Sequence, residues 1–427
     1  MTQIKTKTLN DVCELIVDCE HKTAPIQAIG YPSIRTPNIG KGRLILDNVN
    51  RVSEETYKAW TKRAIPQAGD LILAREAPIG NVAIIPNNVK VCLGQRTVLI
   101  RANKNKIEPN YLVYLLLGDE IQGKILSVSN GATVHHLNMK DIRNLELPKL
   151  PSLYTQRKIA AILSAYDRLI ENNTRRIEIL EEMARSIYRE WFVKFRFPGH
   201  EQVQMVDSEF GRIPEGWRYS SLKNLPIQFI DGDRSSNYPK RSEFVDNGII
   251  FLSTKNINQD KIDLREVNFI TREKFEGIKK GRVQPLDIVM TTRGSIGKIA
   301  LFNCEYSTAL INAQMLIIRA DDKVIDQIYL FYLMCSNEYQ EVIKNFASGS
   351  AQPQIPIQDL KQIEILCPPI AIQRKFSEIV SSYNSLIKNL QAKNTNLRQT
   401  RDLLLPRLIS GEIDVENLDI NTGEIAT

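Results

Sequence analysis

Gln156-Arg157-Lys158-Ile159-Ala160-Ala161-Ile162-Leu163 opens a run that continues to Trp191, and Gln373-Arg374-Lys375-Phe376 opens a second run that continues to Leu408. In the first, Ile159, Tyr166, Asn173, Leu180 and Ile187 recur every seven residues. In the second, Phe376, Tyr383, Leu390, Leu397 and Leu404 do the same. Ile162, Leu163, Leu169, Ile170, Ile177 and Met183 fill the intervening apolar positions of the first, and Ile379, Val380, Leu386 and Ile387 those of the second. Apolar residues at positions a, d and e of a heptad mark a helix that packs along one stripe against another helix. Each run holds about 40 residues, hence roughly 60 Å of helix. The ten seven-spaced residues are the expected coiled-coil seam. Asn173 stands at an a-type position, where a buried Asn fixes register; an Asn on a half-exposed helix edge is the other reading.

The two runs are offset by 217 residues, and the offset extends beyond them. Gly69-Asp70-Leu71-Ile72-Leu73 matches Leu286-Asp287-Ile288-Val289-Met290, and Ile79-Gly80-Asn81-Val82-Ala83 matches Ile296-Gly297-Lys298-Ile299-Ala300. Leu99-Ile100-Arg101-Ala102 matches Ile317-Ile318-Arg319-Ala320, and Tyr111-Leu112 matches Tyr329-Leu330. The chain is a duplicated unit, a globular domain followed by a long helix, twice. The expected class is α+β, with two globular domains alternating with two long helices paired as an antiparallel coiled coil. The expected boundaries are a first domain at 1–150, a central helix at 151–197, a linker at 198–211, a second domain at 212–368, a distal helix at 369–411 and a frayed acidic tail at 412–427. Val82–Ile85, Thr97–Ile100 and Leu145–Pro148 read as strands. If the helices run antiparallel, each end of the rod carries one domain, and the approximate two-fold suits bipartite DNA or two copies of one subunit.

Composition bounds the function. With 427 residues, 43% hydrophobic and 25% charged, the chain reads as a soluble multidomain protein. No run of 18 apolar residues and no leader-like N-terminus occurs, and the six cysteines form no C-x-x-C pair; the cytoplasm is the expected location. Cys13, Cys19 and His21 match no zinc-site spacing, so no metal is expected. Gly294-Ser295-Ile296-Gly297-Lys298-Ile299 is not a phosphate loop, and no methyltransferase cofactor loop or adenine-methylation motif occurs. Asp18 with Glu20-His21-Lys22 has only the residue types of a nuclease site. The chain is therefore expected to be non-catalytic and to bind no cofactor itself.

Net charge is +7, and residues 1–150 hold 20 Lys and Arg against 14 Asp and Glu, which leans toward an anionic partner. The scaffolds match while the loops between them differ: Arg75-Glu76-Ala77-Pro78 faces Thr292-Arg293-Gly294-Ser295, and Thr133-Val134-His135-His136 faces Ala351-Gln352-Pro353-Gln354. Equal scaffolds with unequal loops suggest two binding units for different ligands, with drift of surface loops as the alternative. Arginine reads guanine and Asn or Gln reads adenine through paired hydrogen bonds, while Lys and Thr mostly hold phosphates. The candidate DNA-binding residues of the first domain are Lys22, Arg35, Asn38, Lys41, Arg43, Arg75, Arg96, Asn130, His135 and His136. Those of the second are Arg234, Tyr238, Lys240, Arg241, Lys255, Asn256, Thr292, Arg293, Gln314, Gln352 and Gln354. Any one of them is also an ordinary surface residue type; the clustering carries the reading.

Ile213-Pro214-Glu215-Gly216-Trp217 opening the second domain, and the Pro-x-x-x-x-Gln-Arg-Lys-Ile run from Pro151 to Ile159 with its repeat at Pro368 to Phe376, carry a further signal. With the alternation of domains and helices, the chain resembles the specificity (S) subunit of type I restriction–modification systems over nearly its whole length. The resemblance implies two target-recognition domains, each reading half of a split double-stranded DNA site. It implies helices that act as spacer and as docking surface for two methyltransferase (M) subunits, with restriction (R) subunits joining them. S-adenosylmethionine, ATP and Mg would be bound by those partners. The competing readings are a coiled-coil DNA-binding scaffold without a restriction partner, a stand-alone methyltransferase or nuclease, and a coiled-coil scaffold with no DNA role.

Overall fold

The computed structural model describes residues 6–129, 136–258, 260–346 and 354–423. It divides into two units, one of residues 1–175 with 390–427 and one of residues 176–389. The central helix spans Leu153–Tyr188 and ends in a π-turn, Arg189–Val193; the distal helix spans Ile370–Ile409. Each unit therefore contains one globular domain and a segment of both long helices.

In the first unit the helix segments run antiparallel. Asp167 pairs with Arg401, Asn173 with Asn394, and Lys158 reaches Val415, Glu416 and Leu418, so the partners descend as the first helix ascends. In the second unit the last turns of the central helix meet the first turns of the distal helix, with Tyr188 and Trp191 against Phe376. Of the ten seam residues, Ile159, Asn173 and Phe376 are buried, and Tyr166, Leu180, Ile187, Tyr383, Leu390, Leu397 and Leu404 are half-buried. The deeper row lies four residues on: Leu163, Ile170, Ile177 and Ala184 on one helix, Val380, Ile387, Asn394 and Leu408 on the other. Leu169, Met183 and Leu386, read as part of the apolar stripe, are exposed, because a two-helix seam covers a narrower arc than the a, d and e positions span.

The duplication is explicit in the domains. In the first, Cys13–Asp18, Thr97–Ala102, Leu71–Ala74, Val82–Ile84 and Gly42–Arg43 lie in that order in one sheet. In the second, Ile227–Asp231, Met315–Ala320, Ile288–Thr291 and Ile299–Leu301 repeat the first four places. A second sheet in each holds a parallel pair, Ser33 with Cys92 and Ile34 with Leu93, or Ile250 with Ala309 and Phe251 with Leu310. Alternation along the inner strand shows why these runs are wholly apolar: Leu71 and Leu73 face the helices Pro109–Leu117 and Asp119–Val128, while Ile72 and Ala74 face the second sheet. Ile288 and Met290 against Val289 do the same in the second unit.

The motif Pro-x-x-x-x-Gln has a structural cause. Gln156 Nε2 donates to Pro151 O at 2.9 Å and its Oε1 accepts from Glu108 N at 2.9 Å, tying the helix start to the domain. Gln373 repeats this with Pro368 O at 2.7 Å and Asp326 N at 2.8 Å. Asp70 with Arg101 and Asp287 with Arg319 form the same two-pronged ion pair across neighbouring strands.

Three expectations are corrected. Leu145–Pro148 makes only a single bridge, Glu146 with Thr8, although its counterpart Glu364–Cys367 is a strand. The stretch 198–211 is not a bare linker: Met205–Ser208 pairs with Gly211–Pro214 as a hairpin. The tail is not frayed over its described length. Val415 is fully buried and the ammonium of Lys158, itself buried, donates to three tail carbonyls. Among the described residues no helix is long and apolar enough to cross a membrane.

Candidate nucleic-acid interface

In both units the inner strand ends beside two other segments, and backbone hydrogen bonds lock the three together. Arg75 N donates to Arg96 O at 2.9 Å, and Leu137 N donates to Arg75 O at 3.1 Å. Thr292 N donates to Gln314 O at 2.9 Å, and Ile355 N to Thr292 O at 3.1 Å. The turn that follows closes the same way, Gly80 N on Ala74 O and Gly297 N on Thr291 O. Both glycines have positive φ, and a Cβ on Gly297 would lie 2.8 Å from the Ile343 side chain, so only glycine fits between turn and helix. One backbone frame thus presents four matched positions: 75, 76, 96 and 136 in the first unit, 292, 293, 314 and 354 in the second.

The side chains on this frame differ completely. In the first unit they form a charged chain. Arg75 is buried; its Nε donates to Leu137 O at 2.8 Å, Nη1 to Asp18 Oδ2 at 2.7 Å and Nη2 to His136 Nε2 at 2.9 Å. Because arginine can only donate, His136 accepts at Nε2 and donates from Nδ1 to Glu76 Oε1 at 2.9 Å. Glu76 forms an ion pair with Arg96, Oε2 to Nε at 2.8 Å, and the Arg96 side chain is 61% exposed. Arg96 has φ +65°, a left-handed backbone that costs a side-chain-bearing residue ~1–2 kcal/mol relative to glycine. In the second unit Thr292 is buried, its hydroxyl donating to Gln314 O at 3.1 Å. Arg293, Gln314 and Gln354 are exposed, and Arg293 forms a β-bridge with Gln354. Arg234 Nη2 donates to Ala313 O at 3.3 Å, which brings it to the same turn.

The structure sorts the other candidates. Lys22, Arg35, Arg43, Lys240, Arg241 and Lys255 are exposed; Arg35 lies against Gly94, beside the Arg96 turn. Tyr238 is half-buried, edge-on to Phe251 at 5.7 Å, and burial raises its phenol above the usual range. Asn130, His135 and Gln352 lie outside the described residues. Four candidates have their polar groups engaged within the protein. Arg75 and Thr292 are two. Asn38 accepts from Arg35 N and donates to Ile45 O, and Asn256 accepts from Ser253 N and donates to Asp263 O, each holding a short turn. Lys41 falls elsewhere, lining a cavity of about 350 Å³ with Tyr114, Asp167 and Arg401.

Glu76 and Asp18, which the sequence did not single out as DNA-binding candidates, form ion pairs with Arg96 and Arg75. Asp18, Cys19 and His21 come within 4.8 Å of one another, without Cys13. Arg75 already occupies Asp18, so a cation there would meet a guanidinium, and burial pushes the Cys19 thiol up, away from its ligating form.

Comparison with known proteins identifies the family. The family model described as "Type I restriction modification DNA specificity domain" matches residues 1–182 and again 214–399. The chain is 28% identical over 370 residues to the type I restriction enzyme MjaIX specificity subunit of Methanocaldococcus jannaschii, covering 86% of this chain and 82% of that one. It is 23% identical over 419 residues to the EcoBI specificity subunit of Escherichia coli, covering 92% and 83%. The crystal structure of a type I restriction–modification S subunit from M. genitalium superposes with a TM-score of 0.58 at 16% identity, covering 96% and 97%, which shows the shared fold. With two copies of the specificity domain on two long helices, the chain belongs to the type I restriction–modification specificity-subunit family.

Proposed function

We propose that this chain reads a split DNA target, one half per unit, and holds methyltransferase and translocase–nuclease partners on it. The single observation that carries the reading is the repeated frame: identical backbone hydrogen bonds at Arg75 and Thr292 present unlike side chains, as two half-targets of different sequence require. The apolar side chains of Leu169, Met183, Leu386 and Leu403 are exposed on the long helices, outside the helix–helix seam, and support docking of two M subunits there. In this reading the subunit carries no catalysis. S-adenosylmethionine, ATP and Mg act on the partners, where adenine is methylated and DNA is cleaved, and the complex works in the cytoplasm.

The test is single-molecule methylation sequencing of the host genome with the gene present and deleted. A split adenine-methylated motif that disappears on deletion supports the reading. If co-expressed M and S subunits neither co-purify nor methylate a split motif, a DNA-binding scaffold without a restriction partner is the better description.

A further inference from the structure

The two units make the same frame and load it differently, and the loading has a chemical direction. In the first unit three of the four side chains are held: Arg75 by three partners, His136 by Arg75 and Glu76, and Glu76 by His136 and Arg96. Only Arg96 projects. Its guanidinium is paired with Glu76 as an ion, 2.8 Å from Nε to Oε2, and among the described residues its terminal nitrogens make no hydrogen bond, which leaves them free to present a pair of donors. The left-handed backbone under it is the second observation. The turn would be easier with glycine, yet it carries the longest cationic side chain, and conformational strain of this kind concentrates at functional positions. In the second unit no carboxylate occupies the frame. Gln314 and Gln354 are exposed there, and no hydrogen bond of either side-chain amide occurs among the described residues.

We infer that these four matched positions are the specificity-determining set of each unit, the first selecting a G·C pair through Arg96 and the second an A·T pair through Gln314 and Gln354. A guanidinium matches the two acceptors of guanine in the major groove, while a carboxamide matches the acceptor and donor of adenine. Glu76 and His136 are positioning residues: they aim Arg96 without touching a base. The inference rests on the proposed reading of split DNA.

The test is selection from a randomised duplex library by the assembled S and M subunits, wild type against Arg96→Gly, Arg96→Gln and Gln314→Ala. Arg96→Gly removes the reader while relieving the left-handed backbone, so its thermal midpoint stays the same or rises. The expected result is a loss of about 5- to 150-fold in preference at one G·C position of one half-target, with the other half unchanged. Arg96→Gln moves the preference at that position toward A·T. Gln314→Ala weakens an A·T position in the opposite half only. If all three variants select the wild-type motif, or if each weakens both halves equally, the four-position assignment fails while the split-target reading stands. If wild-type complex selects no split motif, both fall together.

Discussion

Asn173 Nδ2 donates to Asn394 Oδ1 at 2.9 Å between the two long helices, with both residues almost wholly buried. Asn394 in turn donates from Nδ2 toward Thr174 Oγ1 at 3.3 Å and Ile170 O at 3.4 Å. A paired amide inside an apolar seam is nearly neutral for stability and costly to half-remove, because the survivor is then buried without a partner. It also penalises every register that parts the two. Asn394→Leu is therefore expected to lose ~1–3 kcal/mol, and Asn173→Leu with Asn394→Leu to recover most of it. Thermal or denaturant melts of the three variants check this; a double variant no better than the single would show that the amides act independently.

Lys158 sets the second prediction. Its ammonium is buried, caps the carbonyls of Val415, Glu416 and Leu418 at 3.3, 2.8 and 2.6 Å, and sits 4.3 Å from the Tyr154 ring centroid. Among the described residues no carboxylate pairs with it, and the tail carbonyls are the hydrogen-bond partners that its burial requires. Lys158→Met keeps the stem packing and strands the carbonyls. We expect ~1–3 kcal/mol of destabilisation and new protease cleavage between Gly411 and Gly423. An unchanged proteolysis pattern would mean that Val415 and its apolar contacts hold the tail alone.

The helix pair was legible because seven-residue spacing survives any detail of the domains, and the duplication because scaffold residues repeat at one offset. What escaped was the polar half of the seam. Asn394 and Arg401 occupy the row of Val380, Ile387 and Leu408, and a search for apolar periodicity passes over them. Of the candidate site, the sequence offers residue types but not their engagement. Residue types pointed to Arg96, Arg293, Gln314 and Gln354, but the same types at Asn38, Asn256 and Arg75 are spent on backbone or neighbouring side chains. One signal separates some of these in the sequence itself. Asn38 and Asn256 are the same residue at matched positions, Thr-x-Asn-Ile in both copies, and sameness across the repeat marks scaffold. Arg96 and Gln314 are matched and unlike.

The ion pairs Asp70–Arg101 and Asp287–Arg319 allow the two units to be damaged one at a time. Each carboxylate is buried and takes two guanidinium hydrogen bonds of 2.6 to 2.8 Å, and each arginine is held above its usual range by that bond. Removing one charge leaves the other poorly compensated. Each arginine keeps some solvent access, so a cost at the lower end of the ~3–5 kcal/mol seen for broken buried pairs is expected. Asp70→Asn should weaken recognition of one half-target and Asp287→Asn the other. Selection from a half-randomised duplex library distinguishes this from a global loss, which would show the units to be energetically inseparable.

The cysteines give a prediction with a definite pH sign. Burial pushes the Cys13 thiol from an ordinary value of 9.0 up to about 12, and the Cys367 thiol up to about 11. The thiolate is the reactive form, so at pH 8 only ~0.01% and ~0.1% of these groups are ionised in the native protein. Iodoacetamide at pH 8 is expected to leave both unlabelled over the time a free thiol is consumed, and to label all six cysteines in guanidinium. The linkage runs the same way. Unfolded chains release these protons near pH 9 while the native protein keeps them, so the stability is whole below pH 9 and declines as pH rises toward 12. Cys13→Ala with Cys367→Ala should flatten that decline between pH 9 and pH 11. A variant whose alkaline unfolding profile parallels the wild type would assign the loss to other groups, among them the Tyr111 phenol, which burial raises from 10.0 to about 12.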